Sequence, residues 1–224
     1  MKIYYVNDFG KFQRHNFEIC QVVAEPTPTE YSDALEQGFL QRPYRDEICW
    51  LQFRSTRVKL SETNYQPYDK AYILEHYNFN QLLEINNRYL TVKNYVAASE
   101  DMIIFDNDII FGYGEPLVAW SKIRDYGIAY ETVYFAWTYN EPKLRLGYRS
   151  LEHEIAWAKA IGHEYLYLGP GYETCSKYKS KFTGFEWWTG SEWSRDCERY
   201  NWLCNRETRI ETFSQYEQEV YNAK

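Results

Sequence analysis

Two short stretches of the chain gather cations around glycine turns. Lys143, Arg145 and Arg149 flank Gly147, and Lys177, Lys179 and Lys181 follow Gly169-Pro170-Gly171. Glycine lets backbone approach a ligand closely, and amides at the start of a helix together with cationic side chains attract phosphate. The pattern therefore calls for a phosphate-bearing ligand: a nucleic-acid end, a nucleotide or a CoA tail. The plainer reading is a solvated surface with scattered cations. Asp125, in Asp125-Tyr126-Gly127, is either a turn residue or a carboxylate that orients an incoming amine. Tyr134, Tyr139, Tyr165 and Tyr167 fall in or beside alternating segments, where tyrosine serves as a wall or lines a pocket on which a base can stack. Cys175 has no histidine near it in sequence to lower its pKa, so it reads as a small hydrophobe rather than a nucleophile. Trp187, Trp188 and Trp193 make an aromatic cluster in a polar region, either a rim over a pocket or a docking site for the tail.

Other chemistries are argued against. The five cysteines include no CxxC pair, and the four histidines form neither HExxH nor a close pair with cysteine, so neither a disulfide framework nor a metal site is expected. Asp106-Asn107-Asp108 has the opening spacing of a calcium loop without its glycine and terminal glutamate. The formal charge of −7 means that contact with nucleic acid must come from local patches. No apolar run approaches the roughly 18 residues of a membrane span, and Met1 to Asp8 lacks the apolar core of a signal peptide, so a cytoplasmic protein without membrane partners is expected. With 45% hydrophobic and 25% charged residues the chain can bury a core, which excludes a disordered protein.

The elements that must position these groups follow from periodicity. Short strands are expected at 2–6 and 17–24, a helix at 30–38 after Thr29, and one strand over 48–60. Residues 69–95 read as helical, and 102–111 as strand, turn, strand around Asp106-Asn107-Asp108. Residues 116–124 and 128–137 form a hairpin turning at Asp125-Tyr126-Gly127. An amphipathic helix over 151–161, with Glu152, Glu154 and Lys159 on its solvent side, ends at Gly162. A buried strand at 164–168 and a polar, mostly helical tail follow. Strand, strand, glycine turn, helix, strand is the core order of the GNAT acyltransferase fold. The expected class is thus α+β, GNAT-like, with an N-terminal α/β portion and helical connector at 1–98 and a transferase domain at 99–224. In that fold two central strands splay, and their unpaired N–H groups can hold an oxyanion.

The stretch from about Val133 to Lys181 resembles the C-terminal half of the arginyl- and leucyl-tRNA–protein transferases. Val133-Tyr134-Phe135 through Tyr139-Asn140-Glu141-Pro142, Leu146-Gly147 with Ser150, Tyr165-Leu166-Tyr167-Leu168-Gly169, and Cys175 with Lys177 and Lys181 carry the likeness. Tyr31 to Phe39 and Arg54 to Leu60 extend it loosely into the first half. The places of the family's N-terminal cysteine cluster hold residues such as Glu47, Trp50 and Phe53, with Cys49 alone among them. The resemblance implies transfer of an amino acid from charged tRNA to an amine acceptor such as a protein N-terminus, with neither cofactor nor metal, because the donor ester is already activated. It implies Asp125, Tyr134, Tyr139 and Tyr167 around the reacting groups. Arg145, Gly147, Arg149, Ser150, Gly169, Lys177 and Lys181 would hold the donor.

Two alternatives stay open at this level. One is an acyl-CoA-dependent N-acetyltransferase, against which stands the single glycine of Lys143-Leu144-Arg145-Leu146-Gly147-Tyr148-Arg149-Ser150. The other is a non-catalytic binding or inhibitory module on the same fold.

Overall fold

A computed structural model describes residues 1–5, 22–44, 47–94, 104–210, 213–216 and 218–219. The strands are β1 (Lys2–Tyr5), β2 (Val22–Glu25), β3 (Phe39–Tyr44), β4 (Glu47–Gln52), β5 (Ser55–Lys59), β6 (Ala71–Ile73), β7 (Asp108–Tyr113), β8 (Ala119–Asp125), β9 (Tyr130–Trp137), β10 (Tyr165–Pro170), β11 (Phe185–Trp188) and β12 (Trp193–Ser194). The helices are α1 (Tyr31–Glu36), α2 (Phe79–Lys93), α3 (Leu146–Ile161), α4 (Cys197–Glu207) and α5 (Phe213–Tyr216). Most of the expected 17–24 strand lies outside the described residues. The chain packs into two units, Met1–Lys59 with Leu168–Lys224, and Leu60–Tyr167.

The continuous unit is the α+β, GNAT-like core. Its strands run β6-β7-β8-β9-β10, antiparallel except for the parallel pair β9 and β10. Side chains alternate across a strand, so each face of the sheet takes one helix. Ile110, Trp120 and Ala136 face α2 through Leu82 and Ile85, and the Trp120 indole donates to the Leu82 carbonyl at 3.1 Å. Phe111 faces α3 instead, edge-on to His153 and Trp157 at 5.0 and 5.1 Å. Helix α2 starts on the Asn78 side chain, which accepts from the Asn80 amide, and ends at left-handed Asn94. The helical reading of 69–78 is corrected: Ala71–Ile73 is the edge strand β6, paired with β7, and the stripe of Tyr72, Ile73, His76 and Tyr77 is not buried.

In the discontinuous unit, β1-β2-β4-β3 form an antiparallel sheet, and β5, β11 and β12 pair separately. The single strand expected over 48–60 is broken at Phe53-Arg54, where the chain changes partners. The Arg54 amide donates to the Tyr172 hydroxyl at 2.9 Å, and its guanidinium donates to Glu207 at 2.6 Å. Trp187 and Trp188 of the aromatic cluster are buried on β11 rather than set at a polar rim.

Candidate active site

Strand β9 is irregular where it matters. Its pairing with β8 jumps from Lys122/Tyr134 to Ile123/Thr132, a β-bulge. An extra residue reverses which side chains face each way, so Thr132 is turned toward the α3 face that Phe135 occupies from the other side of the bulge. The parallel ladder with β10 consists of Leu166/Tyr130 and Tyr167/Glu131 and stops there. Past it, Thr132 to Phe135 are half-buried, whereas Tyr130, Glu131, Ala136 and Trp137 at the two ends are buried. The opened stretch adjoins the start of α3: a side-chain carbon at Gly147 would stand 3.5 Å from the Phe135 ring. Arg145, at φ 50°, precedes the helix, and no side chain caps its first turn. The helix begins at Leu146, five residues before the expected start, so Gly147 sits within its first turn.

Arg145 and Arg149 are exposed there, each over an aromatic ring, Tyr148 at 5.0 Å and Tyr68 at 5.3 Å. Ser150 is buried, and its hydroxyl turns back on the Gly147 carbonyl at 3.4 Å. Tyr134 donates to Asn86 of α2, and Tyr139 stacks on Tyr89 at 5.9 Å, so both belong to the α2 side. Tyr167 is buried, as a wall residue is. Asp125 accepts from the Gly127 amide at 2.6 Å and so forms the β8–β9 turn. That turn is at the beginning of β9, whereas α3 follows its end, so Asp125 and the Arg145–Arg149 group stand at opposite ends of the strand.

Behind the opened part of β9 lies a polar network that sequence reasoning missed. Glu154 of α3, 1% exposed, accepts from Thr132 of β9 at 2.7 Å and from Tyr113 of β7 at 3.2 Å, and it also bonds Ser121 of β8. Tyr113 and Ser121 are themselves joined at 2.9 Å. Burial raises the Glu154 carboxyl to about 7 against these hydroxyls, which favour its charge. Beside it, burial lowers His153 to about 4; its Nδ1 accepts from the Tyr68 amide at 3.2 Å, and its buried Nε2 has no hydrogen-bond partner among the described residues. The signal was present: Leu151, Glu154, Ile155 and Ala158 form one buried stripe at helical spacing, so Glu154 belongs to the apolar side. Lys159 is exposed, as expected of the solvent side, and donates to the Thr63 carbonyl.

The remaining residues lie in the other unit. Gly169, at φ 73°, offers its carbonyl to Thr56 at 2.8 Å. Lys177 and Lys181 line an open pocket of about 530 Å³ between the 3-10 segment Thr174–Lys181 and α4, with Cys175, Tyr178, Ser180 and Asn201. Lys177 donates to Asn205 at 3.0 Å, and Ser180 to Asn201 at 3.2 Å. Lys179 is instead buried, donating to the carbonyls of Leu168 and Pro170 at 2.6 and 2.7 Å. Burial raises the Cys175 and Cys197 thiols, so neither is held as a thiolate. Among the described residues no group of three or more His, Cys, Asp or Glu could hold a metal ion, and no helix is long and apolar enough to cross a membrane.

The profile of the arginine-tRNA-protein transferase C terminus matches residues 75–189. No curated protein matches the chain in sequence. Among solved structures, the chain is similar to the C-terminal domain of a protein described as a putative lysylphosphatidylglycerol synthetase from Agrobacterium fabrum, at 11% identity and a TM-score of 0.37. That match covers 69% of this chain and 55% of the other.

Proposed function

Since the chain belongs to the family of the arginine-tRNA-protein transferase C terminus, we propose that it is an aminoacyl-tRNA-dependent transferase acting on an amine acceptor, a protein N-terminus in the first instance. One observation carries this reading. The β9–β10 ladder ends after two pairs, so Thr132 to Phe135 open beside the first turn of α3, with Arg145 and Arg149 at its rim. A donor phosphate held by that turn and those cations would bring the ester carbonyl against the opened strand. The neutral acceptor amine attacks the carbonyl carbon, a C–N bond forms, and strand N–H groups hold the oxyanion. The C–O bond to the ribose then breaks, and the ribose oxygen takes up the proton that the amine gives up. An α-amino group of pKa about 8 needs little help to be neutral, so positioning supplies much of the rate.

The test is single-turnover transfer of a labelled amino acid from charged tRNA to peptides with different N-termini. Label should pass to peptide with the wild type. The Arg145→Ala/Arg149→Ala variant should bind donor at least tenfold more weakly, with a flatter salt dependence. Absence of transfer with every aminoacyl-tRNA and every peptide would refute the reading.

A further inference from the structure

The 3.6-residue period divides α4 into three stripes. Tyr200, Leu203, Cys204 and Glu207 are buried and fix the helix to its unit. Cys197 and Asn201, with Asn205 one turn on, border the lysine pocket, and Asn205 holds Lys177. The third stripe faces solvent and is of a different kind. Trp202, 39% exposed, lies between two guanidinium groups, Arg199 at 4.4 Å and Arg206 at 5.2 Å from its ring centre. Exposed Arg209 follows in the turn just past the end of the helix. Residues 197–209 lie beyond the 75–189 match.

Such a row runs against the molecule's overall charge of −7. An isolated surface tryptophan costs exposed apolar area, and like charges along one face repel, so folding does not call for the arrangement. Among the described residues, the carboxylates that accompany it include Glu198 on the same stripe and Glu219, 3.4 Å from Arg206 and about half exposed. Both are solvent-accessible, so an incoming anion can displace them at little cost. Guanidinium groups match phosphate geometry, and the exposed part of the Trp202 ring beside them offers apolar area to a base or ribose. The adjoining pocket, with Lys177, Lys181 and Tyr178, continues the same chemistry around the edge of the helix.

We propose that the solvent face of α4, from Arg199 through Trp202 to Arg206, with Arg209 just past its end, is an RNA contact that grips the sugar–phosphate backbone and leads it toward the Lys177/Lys181 pocket. It rests on the transferase reading for the identity of that RNA, the donor tRNA. Charge complementarity selects a polyanion, and the exposed tryptophan ring beside the cations selects one with bases.

The experiment uses the full chain and labelled deacylated tRNA, followed by fluorescence anisotropy between about 50 and 200 mM salt, a range over which phosphate contacts weaken strongly. Arg199→Ala/Arg206→Ala should weaken binding at least tenfold at the lower salt. It should also reduce the slope of log K against log salt by about 2, near one per phosphate released. Arg199→Lys/Arg206→Lys should keep the slope. Trp202→Ala should lower affinity roughly fivefold with the slope unchanged, as lost stacking does. All three should melt close to the wild type, since Trp202 and Arg206 are exposed and Arg199 is half-buried. Unchanged affinity and slope in the double alanine variant overturns the proposal. So does a loss of peptide binding with tRNA binding intact, which would make the stripe a protein surface. Because the readout needs no charged tRNA, an Arg-dependent slope together with no transfer to any peptide supports the contact while refuting the transferase reading.

Discussion

Glu154 and His153 are adjacent on α3 and titrate in opposite senses for one cause. Burial disfavours the charged form of each, so the acid is pushed up to about 7 and the base down to about 4. For Glu154 the folded value exceeds the usual 4.5, so its contribution to stability is complete below about 4.5 and lost as pH rises through 7. For His153 the folded value lies below 6.5, so its contribution is present above 6.5 and lost as pH falls through 4. Between about 4.5 and 6.5 the two slopes oppose each other and wild-type stability hides both. Glu154→Gln removes one of them. Relative to this variant, the wild type should lose stability on the order of 3 kcal/mol from pH 4.5 to 7.5, at about 1.4 kcal/mol for each pH unit between the unfolded and folded values. Denaturant unfolding of both proteins across that range is the measurement, and a constant difference would show Glu154 ionised throughout. A neutral Glu154 can donate to one of its three hydroxyl neighbours and accept from the others, which satisfies the network without a buried charge.

The elements that local pattern could reveal are the ones complete in themselves. The hairpin of β8 and β9 and the strand β10 follow from alternation, and α3 with its Gly162 cap from period and terminator. The start of α3 was misplaced because Leu146-Gly147 reads as a turn until Phe135 is seen to pack beside it. The partners of β5 and β11 were illegible because their ladder joins residues 55–59 to 185–188, and no local signal encodes a pairing across that distance. The bulge that turns Thr132 toward Glu154 was hidden for the same reason, since it exists only relative to β8. Glycine at 171 is a third case: its sequence context suggests a turn, but its cause is contact. A methyl there would stand 2.4 Å from the Tyr200 hydroxyl and 2.8 Å from Thr56. Tyr200 cannot yield freely, because it is buried and donates to the Ser176 carbonyl at 3.1 Å. Gly171→Ala should therefore cost about 1–3 kcal/mol by overpacking. Tyr200→Phe, mildly destabilising alone, should recover part of that cost in the double variant, with a coupling above about 0.5 kcal/mol. Strict additivity in urea melts would mean that the clash is relieved by other movements.

At the scale of the whole molecule, one unit is continuous and the other is assembled from the two ends of the chain. Leu60–Tyr167 holds a sheet with a helix on each face, the arrangement that buries both faces of the strands without outside help. Residues 1–59 lack that independence. Arg57 of β5 is buried and bonded to Glu186 of β11 at 2.8 Å, Arg54 is bonded to Glu207 of α4 at 2.6 Å, and the Lys59 amide donates to the Gly184 carbonyl at 2.8 Å. Without residues 168–224 Arg54 would lose Glu207, and Arg57 would lose Glu186 while keeping Glu36; breaking a buried pair costs about 3–5 kcal/mol, a large share of the stability of a small domain. A chain ending at 167 should therefore fold only its continuous unit. Its melt should coincide with that of the 60–167 fragment, and hydrogen exchange should find protected amides in β7, β8 and β9 and none in β2, β3 or β4. Adding the 168–224 peptide should restore protection to β5 and then to the β2–β3–β4 sheet, in proportion to peptide concentration. Protection of β2, β3 and β4 in the 1–167 chain alone would show that the first segment supplies its own core, and that the charged pairs to the tail are additions to a fold already formed.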